Sequence, residues 1–356
     1  MAPLAPLFEF QVHPTSASLE APLGRSSQAL EALASQCDDG SAYDVGLRMI
    51  RGKARLVAVP KRVLDGVQRR VGQLLYPVDL SFGSSPHGYV ARRSPFTNAK
   101  PHAGARFLQK FDIKDFFSNI STSRVEMSLI ALGFGSGAAS ILSRLTSCAG
   151  SLPLGARTSP RVSNLVLIDI DDQLESLAEA HGLVYTRYAD DLAFSGPEYF
   201  DVSLPVERAI VDAGFELNPS KSKQFKHGQP MFVTGLSVED AKSPRVRKRL
   251  KSRLRQEFYY IEKYGIEGHA EAIDEHWRWA ASRLTGQYHY CRTVEPEFAA
   301  HLSRTYPVAS ALVVPVHEDS RVERAQRHRR ELIARVLAAP PQPLDFYTPS
   351  VSLFSR

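Results

Sequence analysis

The sequence predicts an α+β fold, and three observations carry that reading. Short runs at 105–113, 183–188 and 192–195 have strand length and are apolar or aromatic. Helix start signals stand at Ser159-Pro160 and Ser243-Pro244, with a capping-box pattern at Ser123-x-x-Glu126. The two runs on either side of Ala189-Asp190-Asp191 form a hairpin, the antiparallel signature, while well-marked helices gather after it.

The elements follow in chain order. Residues 1–40 are rich in Pro, Ala and Ser and read as an extension with one helix near 27–35. Leu56-Val-Ala-Val59 is a strand ended by Pro60, and 63–75 has helical spacing with Arg69 and Arg70 on its polar side. The stretch 81–105 reads as loop. A strand over 105–113 ends in Asp112, and the helix after it stops near Gly133. Gly133-Phe-Gly-Ser-Gly137 follows no strand, so it reads as a helix–helix loop and not a phosphate loop. The helix opened by Ser159-Pro160 runs to about His181 and stops at Gly182. Helix 206–213 closes on Gly214, and 231–238 is a strand. Ser243-Pro244 opens a helix ending near Gly265, another follows at 270–284, and Ser320-x-x-Glu323 starts a basic helix reaching about Leu337 before a Pro-rich tail. The organisation expected is an extension (1–40), a central domain (41–241), a helical domain (242–312) and a terminal segment (313–356).

Composition excludes several classes. With 43% hydrophobic and 23% charged residues, long disorder, collagen-like repeats and coiled coils are out. No apolar run reaches the roughly 18 residues of a membrane span, and no secretory signal is apparent. Only Cys37, Cys148 and Cys291 are present, far apart, which argues against a disulfide framework or a Cys-based zinc site. These features fit a cytoplasmic protein.

Three carboxylates organise the functional reading: Asp112 at a strand end, Asp190 and Asp191 at a hairpin tip. A tight turn breaks strand alternation, so both hairpin acids can approach one point. A sheet placing the Asp112 strand beside the hairpin would bring the third. Clustered carboxylates raise one another's pKa unless cations neutralise them. Hard oxygen ligands suit Mg²⁺, and two such ions clamp the attacking and leaving oxygens of phosphoryl transfer. A solvated acidic turn is the alternative; the apolar and aromatic flanks speak for burial, where unused acids are costly.

Tyr188-Ala-Asp-Asp191 resembles the Tyr-x-Asp-Asp signature of reverse transcriptases. Further segments resemble that family's motifs in family order. These are Arg51-Gly-Lys-Ala-Arg-Leu-Val-Ala-Val-Pro60, Phe111-Asp-Ile-Lys-Asp-Phe-Phe117, Leu152-Pro-Leu-Gly-Ala-Arg-Thr-Ser-Pro160 with Asn164, and Gly214-Phe-Glu-Leu-Asn218 through Lys221-Ser222. Asn98-Ala-Lys-Pro-His102 and Val233-Thr-Gly235 resemble segments of the bacterial retron branch.

The resemblance implies a right-hand polymerase fold with fingers, an antiparallel-sheet palm and a helical thumb. It implies catalytic Asp112, Asp190 and Asp191, with the Ile113 carbonyl beside them, holding two Mg²⁺. It implies dNTP contacts at Lys53, Arg55, Asp115, Phe117, Gly155 and Lys221. Phe117 would exclude a ribose 2′-OH, and Lys221 would be a general acid for pyrophosphate. Competing readings are a surface salt bridge for Lys53 or Arg55, core packing for Phe117 and a solvated Lys221. It further implies RNA or primer–template contacts at Asn98, His102 and Tyr188. The partners implied are a structured non-coding RNA, its cDNA product and dNTPs, with an effector protein of an anti-phage system and no membrane. Synthesis would start from a guanosine 2′-OH and leave branched RNA-linked DNA. The chain departs from the family loop at Leu154, usually Gln, and Arg157, usually Pro, which puts the Gln contact to the incoming sugar in doubt.

One charge feature stands on its own. Residues 242–263 hold nine basic side chains (Lys242, Arg245, Arg247, Lys248, Arg249, Lys251, Arg253, Arg255 and Lys263) against Glu257 and Glu262. That net of +7 exceeds the whole-chain net of +6. Read as one helix, it is basic all round, which suits phosphate contacts and salt-sensitive binding. Phe258, Tyr259 and Tyr260 follow and are able to pack or to stack on bases. Three readings stay open here: a retron enzyme, another bacterial defence or group II intron-like reverse transcriptase, and a nucleic-acid-binding scaffold with a vestigial site. The short C-terminus weighs against the intron reading.

Overall fold

The structure is a computed structural model that describes residues 15–50, 52–77 and 82–313. The expected basic helix near 320–337 and the Pro-rich tail lie outside them. Contacts divide the chain into two units, Met1–Lys248 and Arg249–Arg356.

The first unit opens with a 3₁₀ turn, α1 (Glu20–Leu23) and α2 (Ser27–Asp38). Two strands, β1 (Tyr43–Ile50) and β2 (Lys53–Pro60), then pair as an antiparallel ribbon. β1 has no counterpart among the expected elements, although Tyr43, Val45, Leu47 and Met49 alternate at the strand period. Helix α3 (Arg62–Leu74) buries Leu64, Val67 and Val71, as its spacing predicts. The expected loop at 81–105 contains α4 (Pro95–Ala99), opened by a Ser94–Thr97 capping box, and a 3₁₀ turn over Lys100–His102.

A four-stranded antiparallel sheet forms the centre of this unit, in the order β4-β5-β3-β6. Its strands are β3 (Phe107–Asp112), β4 (Val184–Tyr188), β5 (Asp191–Gly196) and β6 (Lys223–Lys226). One sheet face carries Phe111, Tyr185 and Phe194. Tyr185 stacks on Phe194 at 4.7 Å, and Phe111 meets Phe194 edge-on at 6.1 Å. Helices α5 (Thr122–Ala131), α6 (Ser136–Thr146), α7 (Ser159–Val166), α8 (Ile168–Ala180) and α9 (Ser203–Asp212) join α1–α3 in the same core.

Several sequence expectations need correction. The cap of α5 is Ser121, whose side chain accepts the Arg124 N–H, and Ser123 sits inside the first turn. The helix expected over 159–181 is two helices broken at Leu167. Its Ser159 does not cap; the hydroxyl donates to the Pro153 carbonyl at 2.6 Å, closing the loop before it. The strand expected at 231–238 is a hairpin of β7 (Phe232–Val233) and β8 (Leu236–Ser237), turned by Thr234 and Gly235, both at positive φ. Ser243-Pro244 does not open a helix. Arg245 exchanges two 2.8 Å backbone bonds with Ser237 and pairs with Asp240, so 243–247 stays extended.

The second unit is helical. Helix α10 (Lys248–Ala272) is broken at Gly265, where φ is 74° and a stop was expected. Helices α11 (Trp277–Val294), α12 (Pro296–Thr305) and α13 (Pro307–Val313) follow. The expected helix at 270–284 is displaced because Asp274 takes a positive φ and His276 caps a new start. Leu254, Phe258, Ile261, Leu284, Cys291 and Leu302 are buried.

Candidate active site

Strand pairing assembles the three carboxylates. β3 lies beside β5, and in that register Asp112 stands directly opposite Asp191. Like charges opposite each other on a sheet are unfavourable. Asp190 sits in the two-residue turn between Tyr188 and Asp191, and its carbonyl accepts the Ile113 N–H at 3.0 Å. Burial, then Asp112, then Asp191 push the Asp190 carboxyl up to about 6. Lys221 is drawn onto the cluster, its Nζ 2.5 Å from Asp112 Oδ2. Backbone geometry aims it there: the Asn218 N–H donates to the Asp112 carbonyl, and the Lys221 and Ser222 N–H groups fold back onto the Asn218 carbonyl.

The tip is held from the opposite sheet face. Asp112, Asp191 and Tyr188 share one face by register, and Tyr185 and Arg187 occupy the other. Arg187 is 0% exposed. Its Nε and Nη2 grip Asp171 of α8 at 2.7 and 2.5 Å, and its Nη1 donates to Asn164 of α7 and to the Ala189 carbonyl. Tyr185 donates its hydroxyl to the same Asp171. Ala189 has φ of 58°, unusual for a residue with a side chain. Gly88 packs against this turn so closely that a Cβ there would stand 2.4 Å from the Ala189 nitrogen.

The residues expected around an incoming nucleotide lie on four chain segments, counting the turn that carries Lys221. Lys53 and Arg55 are exposed on β2, with Arg55 directly opposite Arg48. By register they share a ribbon face with Val57, which packs on Gly155. Gly155 has φ of 119°, and a Cβ there would lie 2.9 Å from the Ala58 carbonyl. The loop is pinned further by the Ala58 N–H, which donates to Leu154 O at 2.8 Å. This bond is indifferent to the Leu154 side chain. Arg157 replaces the usual Pro and forks onto Asp65 of α3 at 2.7 and 3.1 Å. Asp115 is exposed at positive φ. Phe117 is half-buried, 5.3 Å from Phe116 and 6.3 Å from Tyr89.

Asn98 and His102 do not face solvent; they are 2% and 1% exposed. His102 bonds Ser195 Oγ at 2.6 Å and Thr186 Oγ1 at 2.8 Å, and burial pushes its imidazole down to about 3. The same segment meets the β7–β8 hairpin, where Thr234 donates to Pro95 O and the Gly104 N–H donates to Val238 O. The Asn-Ala-x-x-His and Val-Thr-Gly segments thus form one brace between the sheet and the hairpin.

The basic run is partly neutralised by acids within it and beyond its ends. In the first unit Arg245 pairs with Asp240, and Arg247 lies 4.3 Å over the Phe232 ring. In the second, Lys251 pairs with Glu295, Arg253 with Glu257, and Arg255 lies over Phe298. Lys248 and Arg249 are exposed. A window count misses these partners because Asp240 and Glu295 lie beyond its ends.

The sequence pattern of the reverse transcriptase (RNA-dependent DNA polymerase) family matches residues 44–246. The chain belongs to the reverse transcriptase family. It has that family's right-hand polymerase fold, with the four-stranded sheet as its palm. Retron Mx65 reverse transcriptase of Myxococcus xanthus is 34% identical over 276 residues, covering 71% of this chain and 61% of that protein. Retron Mx162 reverse transcriptase, also of Myxococcus xanthus, is 30% identical over 300 residues, covering 73% and 60%. Retron Ec86 reverse transcriptase of Escherichia coli is 30% identical over 205 residues, covering 56% and 63%. The chain spans about three fifths of the length of these relatives.

The carboxylate oxygens of Asp112, Asp190 and Asp191 fit a divalent cation: they are hard donors, and burial together with their mutual repulsion lifts Asp190. Among the described residues, no three His, Cys, Asp or Glu side chains form a ready-made cage. The sequence reading missed Tyr89, Gly88, Asp171 and Arg187. Tyr89 lies near the carboxylates, and burial, then Asp190, then Tyr188 raise its phenol pKa. Only the glycine in Pro86-His-Gly-Tyr89 hinted at a close backbone approach.

Proposed function

We propose that this chain is an RNA-directed DNA polymerase of the retron type. It copies a structured partner RNA into single-stranded DNA that starts from a guanosine 2′-OH, as part of an anti-phage system. The carrying observation is the Asp112–Asp191 pair with Asp190 at the turn, a like-charge cluster that folding tolerates only for use. Retron names among the relatives support the branch.

Asp112, Asp190 and Asp191, with the Ile113 carbonyl, would hold the divalent ions the family uses. Such ions, when bound, neutralise charge on the reacting phosphate and lower the pKa of the attacking hydroxyl. The chain does the remaining work. Lys53 and Arg55 on the β2 face turned to Gly155 bind triphosphate oxygens through charge-assisted bonds. Phe117, braced by Phe116, closes the space beside the sugar, and Tyr89 borders it. Lys221 holds a proton on Nζ beside Asp112 and delivers it to the leaving pyrophosphate. Lys248 and Arg249 contact the nucleic-acid backbone.

The test uses the full chain with the RNA that co-purifies with it, dNTPs and Mg²⁺. Branched RNA-linked DNA is expected. The double change Asp190→Ala and Asp191→Ala should abolish synthesis and spare RNA binding. Efficient copying of ordinary primed templates with no branched product overturns the retron reading.

A further inference from the structure

Nothing in the chemistry of the carboxylates explains why a fully buried arginine sits directly beneath them. Arg187 spends its donors on Asp171, Asn164 and the Ala189 carbonyl. Burial opposes its charge and Asp171 outweighs that effect, so its pKa stands above the ordinary value. Replacing a buried ion pair by apolar groups is often neutral or stabilising, so the pair is a poor device for stability alone.

Its one bond to the hairpin tip falls on the residue that needs it. Ala189 is left-handed, a conformation that is strained for a residue with a Cβ. That turn fixes where Asp190 and Asp191 point. Two further features bear on it from other elements: Gly88 runs so close to the Ala189 nitrogen that no Cβ fits between them, and Asn164 donates to the Gly88 carbonyl at 2.8 Å. Arg187 therefore ties α8, α7, the 85–88 segment and the turn into one rigid support.

We propose that Arg187, clamped by Asp171, is a positioning residue that holds the left-handed turn at Ala189 and so sets the divalent-cation affinity of Asp190 and Asp191. This inference rests on the polymerase reading for the purpose of the site, but not for its measurement. Arg187 touches no reacting atom; it acts through the backbone of its neighbour.

The decisive comparison uses the full chain in three forms: wild type, Arg187→Met with Asp171→Asn, and that pair combined with Ala189→Gly. The double change removes both buried charges together, so no lone charge is left to prevent folding. Circular dichroism and thermal unfolding check the fold. Mn²⁺ binding is read by electron paramagnetic resonance without nucleic acid or dNTP, and the Mg²⁺ midpoint of DNA synthesis is read separately. The double variant should fold, bind Mn²⁺ about tenfold more weakly and need about tenfold more Mg²⁺. Glycine adopts the left-handed conformation freely, so Ala189→Gly should recover at least half of the lost affinity in logarithmic terms. A folded double variant with wild-type Mn²⁺ affinity overturns the proposal, as does a loss that Ala189→Gly leaves untouched. If the double variant does not fold, Arg187→Lys takes its place. Its single ammonium cannot fork onto Asp171 while reaching Ala189, and the same two outcomes decide. Wild type that binds Mn²⁺ yet makes no DNA overturns the polymerase reading and leaves the positioning result standing.

Discussion

The buried His102 makes a quantitative prediction about acid. In the folded protein its two nitrogens bond Ser195 and Thr186, and burial holds it neutral down to about pH 3. In the unfolded chain it takes a proton near 6.5. Between those values the unfolded state binds more protons, so stability is fully present above pH 6.5 and falls as the pH drops toward 3. The slope is about 1.4 kcal/mol per pH unit, so at pH 5 this group removes about 2 kcal/mol. The perturbation is His102→Asn. At pH 7.5 the variant loses two hydrogen bonds, about 1 kcal/mol each, plus some packing, for a deficit of roughly 2–3 kcal/mol. Wild type loses its advantage as acid is added, so the gap should shrink by about 2 kcal/mol by pH 5. His87 is also pushed down, to about 4, by burial and by Arg93, but it contributes equally to both proteins and cancels. Urea unfolding with EDTA present, followed by far-ultraviolet circular dichroism, reads the gap. Both tryptophans, Trp277 and Trp279, lie in the second unit, so their fluorescence separates that unit's transition. A gap that is the same at pH 7.5 and pH 5 would refute the reasoning, because His102 would then titrate alike folded and unfolded.

Three further outcomes are expected. Gly155→Ala puts a Cβ 2.8 Å from Val57 Cγ1 and 2.9 Å from Ala58 O, so it should raise the KM for dNTP severalfold or more with the fold retained by circular dichroism; an unchanged KM removes that loop from nucleotide handling. Glu257 is buried and holds Arg253, Arg283 and His269. Glu257→Ala should therefore destabilise the second unit by roughly 3 kcal/mol, measured by tryptophan fluorescence in urea. Thr234→Val removes the bond to the Pro95 carbonyl and should cost about 1 kcal/mol in the first unit with little change in activity per folded molecule.

Much of the site was legible because its signals are local. Strand-type flanks around Tyr188-Ala-Asp-Asp191 placed two acids on a turn, and the apolar run ending in Asp112 placed the third at a strand end. Lys221 was named only through the resemblance of 214–222 to a family motif, and the structure sets it on Asp112. What escaped depends on partners distant in the chain. Arg187 looks like an ordinary polar position of a strand until Asp171 and Asn164 are brought beneath it. The basic run looked uniformly exposed because its partners, Asp240 and Glu295, fall outside the window that was counted. Val233-Thr-Gly235 read as strand because two-residue strands carry almost no periodicity, and only the turn residues mark the reversal. Ser159 and Ser243 carried cap signals that lost, the first to its own bond with Pro153 and the second to the backbone pairing of nearby Arg245 with Ser237.

The sheet order also bears on how the chain is made. β3, an inner strand, pairs with β5 on one edge and β6 on the other, and Lys226 follows its partner Phe107 by roughly 120 residues. At about 5–20 residues per second, a ribosome needs roughly 6–24 seconds to supply that last strand. Both edges of Phe107–Asp112 are unpaired until β5 emerges, and the edge that meets β6 stays open to the end of that interval. Charges on this strand bear on that wait. Asp112 at its end and Lys110 within it put charge on a strand that would otherwise be an inviting template for aggregation. A charged end on a waiting strand guards the nascent chain before its sheet is complete.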